Sequence, residues 1–182
     1  MEYRTVLESP LGPLLLTSDE EALTGLWFAD QKQLPKNLFE LPRKDDLEVF
    51  RQTAQWLGRY FTGKETGPLP PLRPRGTAFQ EKVWALLCEI PYGTTVSYRQ
   101  LAAHLCAARG GAAVSARAVG GAVGRNPTSI LIPCHRVIGA DGSLTGYAGG
   151  LLRKKALLTL EGILPEAETE EDSSAYTLGR RR

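Results

Sequence analysis

The sequence is poor in histidine and cysteine and has no long apolar run. Its 182 residues include two histidines and three cysteines, and these form no CxxC or HxxxH pair. We therefore expect no metal site and no cofactor. An odd number of cysteines without a regular spacing predicts free thiols in a reducing compartment.

Membrane and export signals are also missing. The longest apolar runs are far shorter than the roughly 20 residues of a membrane-spanning helix, so no membrane partner is expected. Residues 1–5 lack the apolar core of a signal peptide. A cytoplasmic protein, or a nuclear one in a eukaryote, is the expectation.

Charge is distributed unevenly along the chain. Hydrophobic residues make up 42% and charged residues 23%, as in a folded globular protein. The net charge of +2 divides into −1 over residues 1–76, +5 over 77–162 and −2 over 163–182. The positive segment is where a polyanion would bind, although an ordinary solvated basic face has the same composition.

The first 65 residues predict a small αβ domain. Apolar runs at 3–8, 13–18 and 22–28 predict three short strands, and residues 29–45 predict a loop. A helix is predicted over residues 46–61. Its apolar stripe consists of Leu47, Phe50, Ala54, Leu57 and Phe61. Four prolines and two glycines then predict a linker over residues 66–76, which separates domain 1–65 from domain 77–162.

The second domain is predicted to be mostly helical. Capping-box patterns at Thr77 and Ser97 predict helices that end before Pro91 and at Leu105. Further helices are predicted over residues 115–123 and 151–160. The second and third of these helices have the outline of a helix-turn-helix. The expected fold class is α+β, with a short antiparallel sheet first and the helices after it.

Two segments of the second half are predicted to be non-helical. Residues 130–132 predict an extended apolar run, because Pro133 disfavours helix in the residue before it. Residues 163–182 have little apolar content and predict a flexible tail.

The extended run delivers a cysteine followed directly by a histidine, Cys134 and His135. A thiolate is the nucleophile, and an imidazole can accept the thiol proton directly or through a water. Neighbouring side chains of a strand point to opposite sides, so His135 would need a bend or a bridging water to reach the thiol. Glu161 is the candidate to orient the imidazole, because only four acidic residues lie in 77–162. Taken alone, a single cysteine is more often a packing residue and a single histidine a structural group. Cys88 and Cys106, which have no base next to them in the sequence, fit that interpretation.

The sequence around Cys134 resembles the active-site signature of the O6-alkylguanine-DNA alkyltransferases. Pro133 to Arg136 carries the signature itself. Other parts of residues 77–162 are similar to further blocks of that family: Ser97-Tyr98, the run from Arg117 to Ala122, Asn126-Pro127, the loop from Gly146 to Leu151, and Glu161-Gly162. Residues 1–65 resemble only in outline the smaller αβ domain of the family.

The resemblance implies a reaction that consumes the protein. Cys134 would attack the alkyl carbon on O6 of guanine, and O4-alkylthymine would be a second substrate. His135 would draw the thiol proton through a water, and Glu161 would hold His135. Tyr98 would donate a hydrogen bond to the guanine ring as negative charge develops on it.

The resemblance also implies that a monomer binds the minor groove of double-stranded DNA after the damaged base has been flipped out. Arg117 would fill the space of the flipped nucleotide. The other expected DNA-binding residues are Ser115, Ala118, Gly120, Gly121 and Arg125. The expected substrate-binding residues are Asn126, which also braces the helix-turn-helix, and Val137, Tyr147, Ala148 and Gly149. Small residues in the helix let its backbone approach DNA, although Gly120-Gly121 are equally suited to tight helix packing.

The chain departs from the family pattern in two places. Extra residues, within 106–114, separate Tyr98 from Arg117, which leaves the geometry of that turn open. Residues 1–76 contain no cysteine or histidine, so the structural zinc site of some members is absent. Two other functions stay open. An alkyltransferase-like protein that binds lesions without repair lacks the reactive cysteine, and a cysteine hydrolase would regenerate its thiol.

Overall fold

The computed structural model describes residues 1–165. The strands are β1 (Tyr3–Leu7), β2 (Leu14–Ser18), β3 (Leu23–Phe28), β4 (Val96–Ser97) and β5 (Val137–Ile138). The α-helices are α1 (Glu48–Phe61), α2 (Ala78–Cys88), α3 (Tyr98–Ala108), α4 (Ala116–Val123) and α5 (Leu151–Leu160). The predicted fold class is confirmed. Most of the predicted tail, residues 166–182, lies outside the described residues, and no helix within 1–165 is long and apolar enough to cross a membrane.

The three amino-terminal strands form an antiparallel sheet in the order β1-β2-β3. Both faces of β2 are buried. Leu14 and Leu16 point to the main core, whereas Leu15 points to the other face and packs with Trp27 and Leu38. Leu38 belongs to a 3-10 turn, Leu38–Glu40, inside the segment that was predicted to be a loop. This turn covers the second face of the sheet and explains why β2 does not alternate between apolar and polar residues.

Helix α1 covers the main-core face of the sheet, but its buried stripe differs from the predicted one. The buried residues are Val49, Phe50, Thr53, Leu57 and Tyr60, whereas Ala54 and Phe61 are only half-buried. The i+3 and i+4 positions of a helix lie on overlapping faces, so either Tyr60 or Phe61 could complete the buried stripe of α1. Tyr60 is the buried one because its hydroxyl has a hydrogen-bond partner.

The proline-rich segment 66–76 runs partly along the edge of the sheet. The backbone N–H of Leu23 donates to the Pro71 carbonyl, and the Arg73 N–H donates to the Leu23 carbonyl, both at 2.8 Å. Proline lacks an N–H and is tolerated at such an edge. This segment is therefore held against β3 over residues 71–73.

Helices α2, α3 and α4 pack around a second core that contains Trp84, Leu101 and Val119. Both predicted capping boxes are present, at Thr77 and at Ser97. Helix α3 continues to Ala108, three residues beyond its predicted end. Gly110 and Gly111 follow with φ angles of +67° and +89°, which glycine adopts without strain and which turn the chain towards α4.

The prediction of an extended run at 130–132 is wrong. Ile130 has a φ angle of +71°, and Cys134–Arg136 form a 3-10 turn. Ile130 and Leu131 pack into the main core, whereas Ile132 and Cys134 pack into the second one. A straight strand with one buried face could not serve both cores, so the backbone turns between them. Its polar groups are satisfied locally, as by the Cys134 N–H donating to the Ile132 carbonyl at 2.8 Å.

Candidate active site

A short parallel pairing brings Cys134 to the start of α3. Val137 pairs with Val96, and Ile138 pairs with Ser97. The 3-10 turn that carries Cys134 therefore lies beside Tyr98, the first residue of α3. Cys134 is 4% exposed and belongs to the second core, against which Tyr98 and Tyr147 pack.

Asn126 ties the thiol to the segment that follows α4. Its Nδ2 donates to the Ile132 carbonyl at 2.8 Å and lies 3.2 Å from Cys134 Sγ. Its Oδ1 accepts from the Thr128 N–H at 2.9 Å. Asn126 is buried, so these contacts replace water and hold the cysteine in one position.

His135 and Glu161 form a buried pair. Nε2 of His135 lies 2.7 Å from Oε1 of Glu161, and both side chains are shielded from solvent. Arg136 donates to the same carboxylate from Nε at 2.8 Å and from Nη2 at 3.0 Å, and to the Ile90 carbonyl from Nη1 at 2.6 Å. The hydroxyl of Tyr60 in α1 donates to Oε1 at 2.7 Å. The carboxylate is therefore fully paired despite its burial.

The network fixes the protonation of this pair. Burial alone would raise the pKa of Glu161, but the hydrogen bonds from His135 and Arg136 lower it to about 2. An ionised carboxylate only accepts hydrogen bonds, so Nε2 of His135 carries the proton and Nδ1 keeps a free electron pair. Burial also lowers the pKa of His135, against the opposing effect of Glu161, so the imidazole is neutral at rest.

The free nitrogen is available as a base. Nδ1 of His135 is buried and has no hydrogen-bond partner among residues 1–165. Burial raises the pKa of the Cys134 thiol, although the Asn126 hydrogen bond and the Lys154 charge partly oppose it. The thiol is therefore protonated at rest and needs a base to become a nucleophile.

An open cavity of roughly 630 Å³ lies on the other side of Tyr98 and Tyr147. Its lining includes Tyr98, Gly120, Gly124 and the loop residues 146–150. The Tyr98 hydroxyl is 3.2 Å from the Thr145 carbonyl, to which it donates. Lys154 Nζ donates to the Thr145 carbonyl at 2.6 Å and also to the Val137 carbonyl, which fastens the loop to β5. Burial lowers the pKa of Lys154 to about 8.

Helix α4 and the residues that flank it present a second set of predicted residues to solvent. Ser115, Arg117, Ala118 and Arg125 are exposed, and Ser115 caps the helix by accepting from the Ala118 N–H at 3.1 Å. Tight helix packing does not explain the two glycines. A Cβ at Gly120 would only reach the Tyr98 ring, at 3.7 Å, and one at position 121 only Arg125, at 3.6 Å.

The structure thus divides the predicted site residues into two groups. One group surrounds the thiol and the cavity: Cys134, His135, Glu161, Tyr98, Asn126, Val137, Gly120, Tyr147, Ala148 and Gly149. The other group lies on α4 and directly beside its two ends. It consists of Ser115, Arg117, Ala118, Gly121 and Arg125, which are exposed apart from the half-buried Gly121.

Sequence reasoning missed three residues of the site: Tyr60, Arg136 and Lys154. Lys154 had a signal, because it shares a helix face with Leu157 and Leu158 at i+3 and i+4 and is therefore directed at the core. Arg136 belongs to the motif Pro133 to Arg136, but the sequence predicts that the positive charge of residues 77–162 faces a polyanionic partner and not a buried carboxylate. Nothing in the sequence joins Tyr60 to a carboxylate 101 residues away.

Two family models match the chain. The model for the DNA binding domain of 6-O-methylguanine DNA methyltransferase matches residues 78–163. The model for the ribonuclease-like domain of the same protein matches residues 2–69. The chain therefore belongs to the 6-O-methylguanine DNA methyltransferase family.

Individual relatives agree with this. A Methanosarcina barkeri protein named methylated-DNA–protein-cysteine methyltransferase is 45% identical over 161 residues, which cover 87% of this chain and 96% of that protein. One of the same name from Haemophilus influenzae is 43% identical over 162 residues, 88% of this chain and 87% of that one.

A crystal structure of Mycobacterium tuberculosis OGT in complex with DNA is similar, with a TM-score of 0.75 and 43% identity over 87% of this chain and 92% of that one. The Mycobacterium tuberculosis O6-methylguanine methyltransferase gives a TM-score of 0.77 and 42% identity over 92% and 97% of the two chains.

Proposed function

We propose that this protein repairs DNA by moving an alkyl group from O6 of guanine to Sγ of Cys134, once per molecule and irreversibly. The single observation that carries the proposal is the buried Cys134 thiol beside a His135–Glu161 pair whose Nδ1 is free to accept a proton. Membership of the methyltransferase family supports it. O4-alkylthymine is the second substrate that we infer.

The residues support a single displacement. The thiol proton passes to Nδ1 of His135, directly or through one water, and Glu161 stabilises the imidazolium that forms. Sγ then bonds to the alkyl carbon while the bond from that carbon to O6 breaks. The electron pair stays on guanine, which takes up one proton and remains in the DNA strand as the repaired base. Tyr98 donates a hydrogen bond to the base as that charge develops.

The charge around α3 and α4 supports duplex DNA as the partner. No acidic residue occurs between Glu89 and Asp141, whereas Arg99, Arg109 and Arg117 are exposed in this stretch. A surface of one sign attracts a polyanion. Arg117 lies in the first turn of α4 and has the length to enter the base stack from the minor groove as the damaged base flips out.

The cavity between Tyr98 and loop 146–150 is the place that we assign to the flipped base. Tyr147, Ala148 and Gly149 line it, and Val137 and Asn126 hold the surrounding backbone. Tyr98 lines this cavity and also packs against the core that contains Cys134, so a base that enters must displace or contact its ring. We further infer that the protein acts as a monomer and that it is cytoplasmic. Size-exclusion chromatography with light scattering tests the oligomeric state.

The test is mass spectrometry after incubation with a duplex that contains one O6-methylguanine. One added methyl group on the peptide that holds Cys134, with one lesion removed per protein molecule, is the expected result. Binding of the lesion without a mass change would instead indicate a lesion-binding protein. Repeated turnover with an unmodified thiol would indicate a hydrolase.

A further inference from the structure

Tyr60 connects the amino-terminal part of the chain to the cysteine site. It lies in the last turn of α1, is 1% exposed, and places its hydroxyl 2.7 Å from Oε1 of Glu161 and 3.3 Å from Nε2 of His135. We propose that Tyr60 is a positioning residue for alkyl transfer. It holds the Glu161 carboxylate against the His135 imidazole and weakens the electrostatic attraction between the carboxylate and a protonated imidazole. The inference rests on the function proposed above and assigns the αβ part a role in the reaction.

The ring of Tyr60 is held too tightly for its hydroxyl to move away. Trp56 stacks on it with ring centres 5.4 Å apart and planes 11° apart. Phe61, Tyr92 and His135 meet it edge-on, with centres 5.5, 6.2 and 6.5 Å away. A ring enclosed on these sides presents its hydroxyl in one direction only, towards the carboxylate.

The hydroxyl shares its acceptor atom with the histidine. Oε1 of Glu161 accepts from Tyr60, from His135 and from Nη2 of Arg136. Each hydrogen bond disperses part of the negative charge on that oxygen. With the Tyr60 hydroxyl in place, Glu161 is therefore a weaker partner for a protonated imidazole than it would be with two donors.

Loss of the hydroxyl has two separable consequences. The carboxylate loses one of its fixed contacts, so His135 is aligned less well and the transfer slows. More charge remains on Oε1 as well, so the imidazole becomes more basic and the Cys134 thiol gives up its proton at a lower pH. A residue that only supported the fold would produce no change in that pH.

The other titratable and charged groups around the pair keep their contacts when the hydroxyl is removed. Arg136 still binds both carboxylate oxygens, and its guanidinium lies 5.8 Å from the centre of the Tyr92 ring. Lys154 acts on the imidazole through its charge alone, and the Tyr147 ring meets the imidazole edge-on at 6.4 Å. The Cys134 thiol is the group whose proton is followed.

The test compares Tyr60→Phe with Tyr92→Phe. Tyr92 lies edge-on to the same ring, but its hydroxyl donates to the Leu160 carbonyl at 3.0 Å and makes no contact with the carboxylate. Two rates are measured against pH in each variant and in the wild type. One is modification of the Cys134 peptide by iodoacetamide, followed by mass spectrometry, and the other is single-turnover transfer from free O6-benzylguanine.

For Tyr60→Phe we expect the midpoint of both pH profiles to fall by about half a pH unit and the maximum transfer rate to fall about fivefold. We expect no change for Tyr92→Phe, and thermal unfolding curves are recorded to check that both variants are folded. An unchanged or raised midpoint in Tyr60→Phe, or an equal shift in the control, would overturn the proposal. Iodoacetamide needs no alkylated base, so a failure of the proposed function would show as absent transfer in the wild type while the thiol still titrates.

Discussion

The two sides of Cys134 differ in solvent access and in charge. On one side lie His135, Glu161 and Arg136, all buried and hydrogen-bonded to one another, to Tyr60 and to the Ile90 carbonyl. Within residues 1–165, Nδ1 of His135 is the atom of this group without a partner. On the other side Tyr98 borders an open cavity, with the exposed Arg117 on the helix beyond it. Acid–base chemistry is favoured by fixed charges away from water, whereas binding of a large polyanion and a flipped base needs an open surface. The two requirements meet at a single sulfur atom.

The largest effect is expected when the sulfur atom of Cys134 is removed. Cys134→Ala abolishes alkyl transfer, because no other thiol has an adjacent imidazole, and leaves DNA affinity unchanged, because the thiol is buried. Mass spectrometry measures the first and fluorescence anisotropy with a lesion-containing duplex measures the second. Transfer that persists in this variant would contradict the assignment of the nucleophile.

Glu161→Gln removes the negative charge on the buried side of Cys134 and leaves the side that borders the cavity unchanged. The amide cannot stabilise an imidazolium, so we expect transfer from free O6-benzylguanine to slow on the order of a thousandfold. The Arg136 cation also loses its buried partner, which lowers the free energy of unfolding by about 3 to 5 kcal/mol. Single-turnover kinetics and urea titration measure the two effects, with the exposed Glu89→Gln as control. A rate close to that of the wild type would separate Glu161 from the chemistry.

Lowering the pH tests the buried side of Cys134 in a second way, because it protonates the Glu161 carboxylate. The pKa of Glu161 is lowered from its ordinary value of 4.5 to about 2, so its contribution to stability is complete above about pH 4.5 and is lost as the pH falls towards 2. The contribution is on the order of 3 kcal/mol. Urea titrations between pH 7 and pH 2 should show this loss in the wild type and not in Glu161→Gln. Parallel curves for the two proteins would show that the carboxylate is not specially stabilised.

Arg117→Ala changes only the side of Cys134 that faces the cavity and solvent. Without a side chain to fill the base stack, we expect transfer from duplex DNA to slow between tenfold and a hundredfold, since flipping costs a few kcal/mol. Reaction with free O6-benzylguanine should keep its rate, because no base is flipped. Both rates come from single-turnover experiments, with the exposed Arg99→Ala as the matched loss of one positive charge. Equal losses for duplex and free base would argue against the proposed role.

Tyr98→Phe is expected to have the smallest effect. Loss of one donor to the leaving base should slow transfer about tenfold from either substrate. The pH midpoint should stay in place, because the Tyr98 hydroxyl contacts loop carbonyls and not the carboxylate. A shift of the midpoint, measured by iodoacetamide modification, would mean that the two sides of the cysteine are electrostatically coupled.

The sequence was sufficient for the existence of the five helices within residues 1–165, the three amino-terminal strands and the pairing of His135 with Glu161. Capping boxes at Thr77 and Ser97 are local patterns, and local hydrogen bonds decide them. The pairing of His135 with Glu161 followed from the scarcity of acidic residues and from the resemblance to a family. These predictions needed no knowledge of how distant segments pack.

What could not be predicted depends on contacts between distant segments. Residues 130–132 have the composition of a strand, but two cores draw them in different directions and the backbone turns at Ile130. Tyr60 and Phe61 are equally suited to close a helical stripe, and only the carboxylate across the molecule selects Tyr60. Tertiary packing overrides the local pattern in both cases.

Gly149 limits how the pocket can diverge during evolution. A Cβ at this position would lie 2.6 Å from the Phe28 ring of the sheet and 2.8 Å from the Tyr147 ring, so any other residue would push the amino-terminal sheet away from the loop. Its neighbour Ala148 already carries a Cβ and is half-buried in the cavity lining, so a longer side chain there would extend along or into the cavity. Selection for bulkier or smaller alkyl groups therefore has a tolerant position directly beside a forbidden one, and a mutational library of this loop should retain diversity at 148 and lose it at 149.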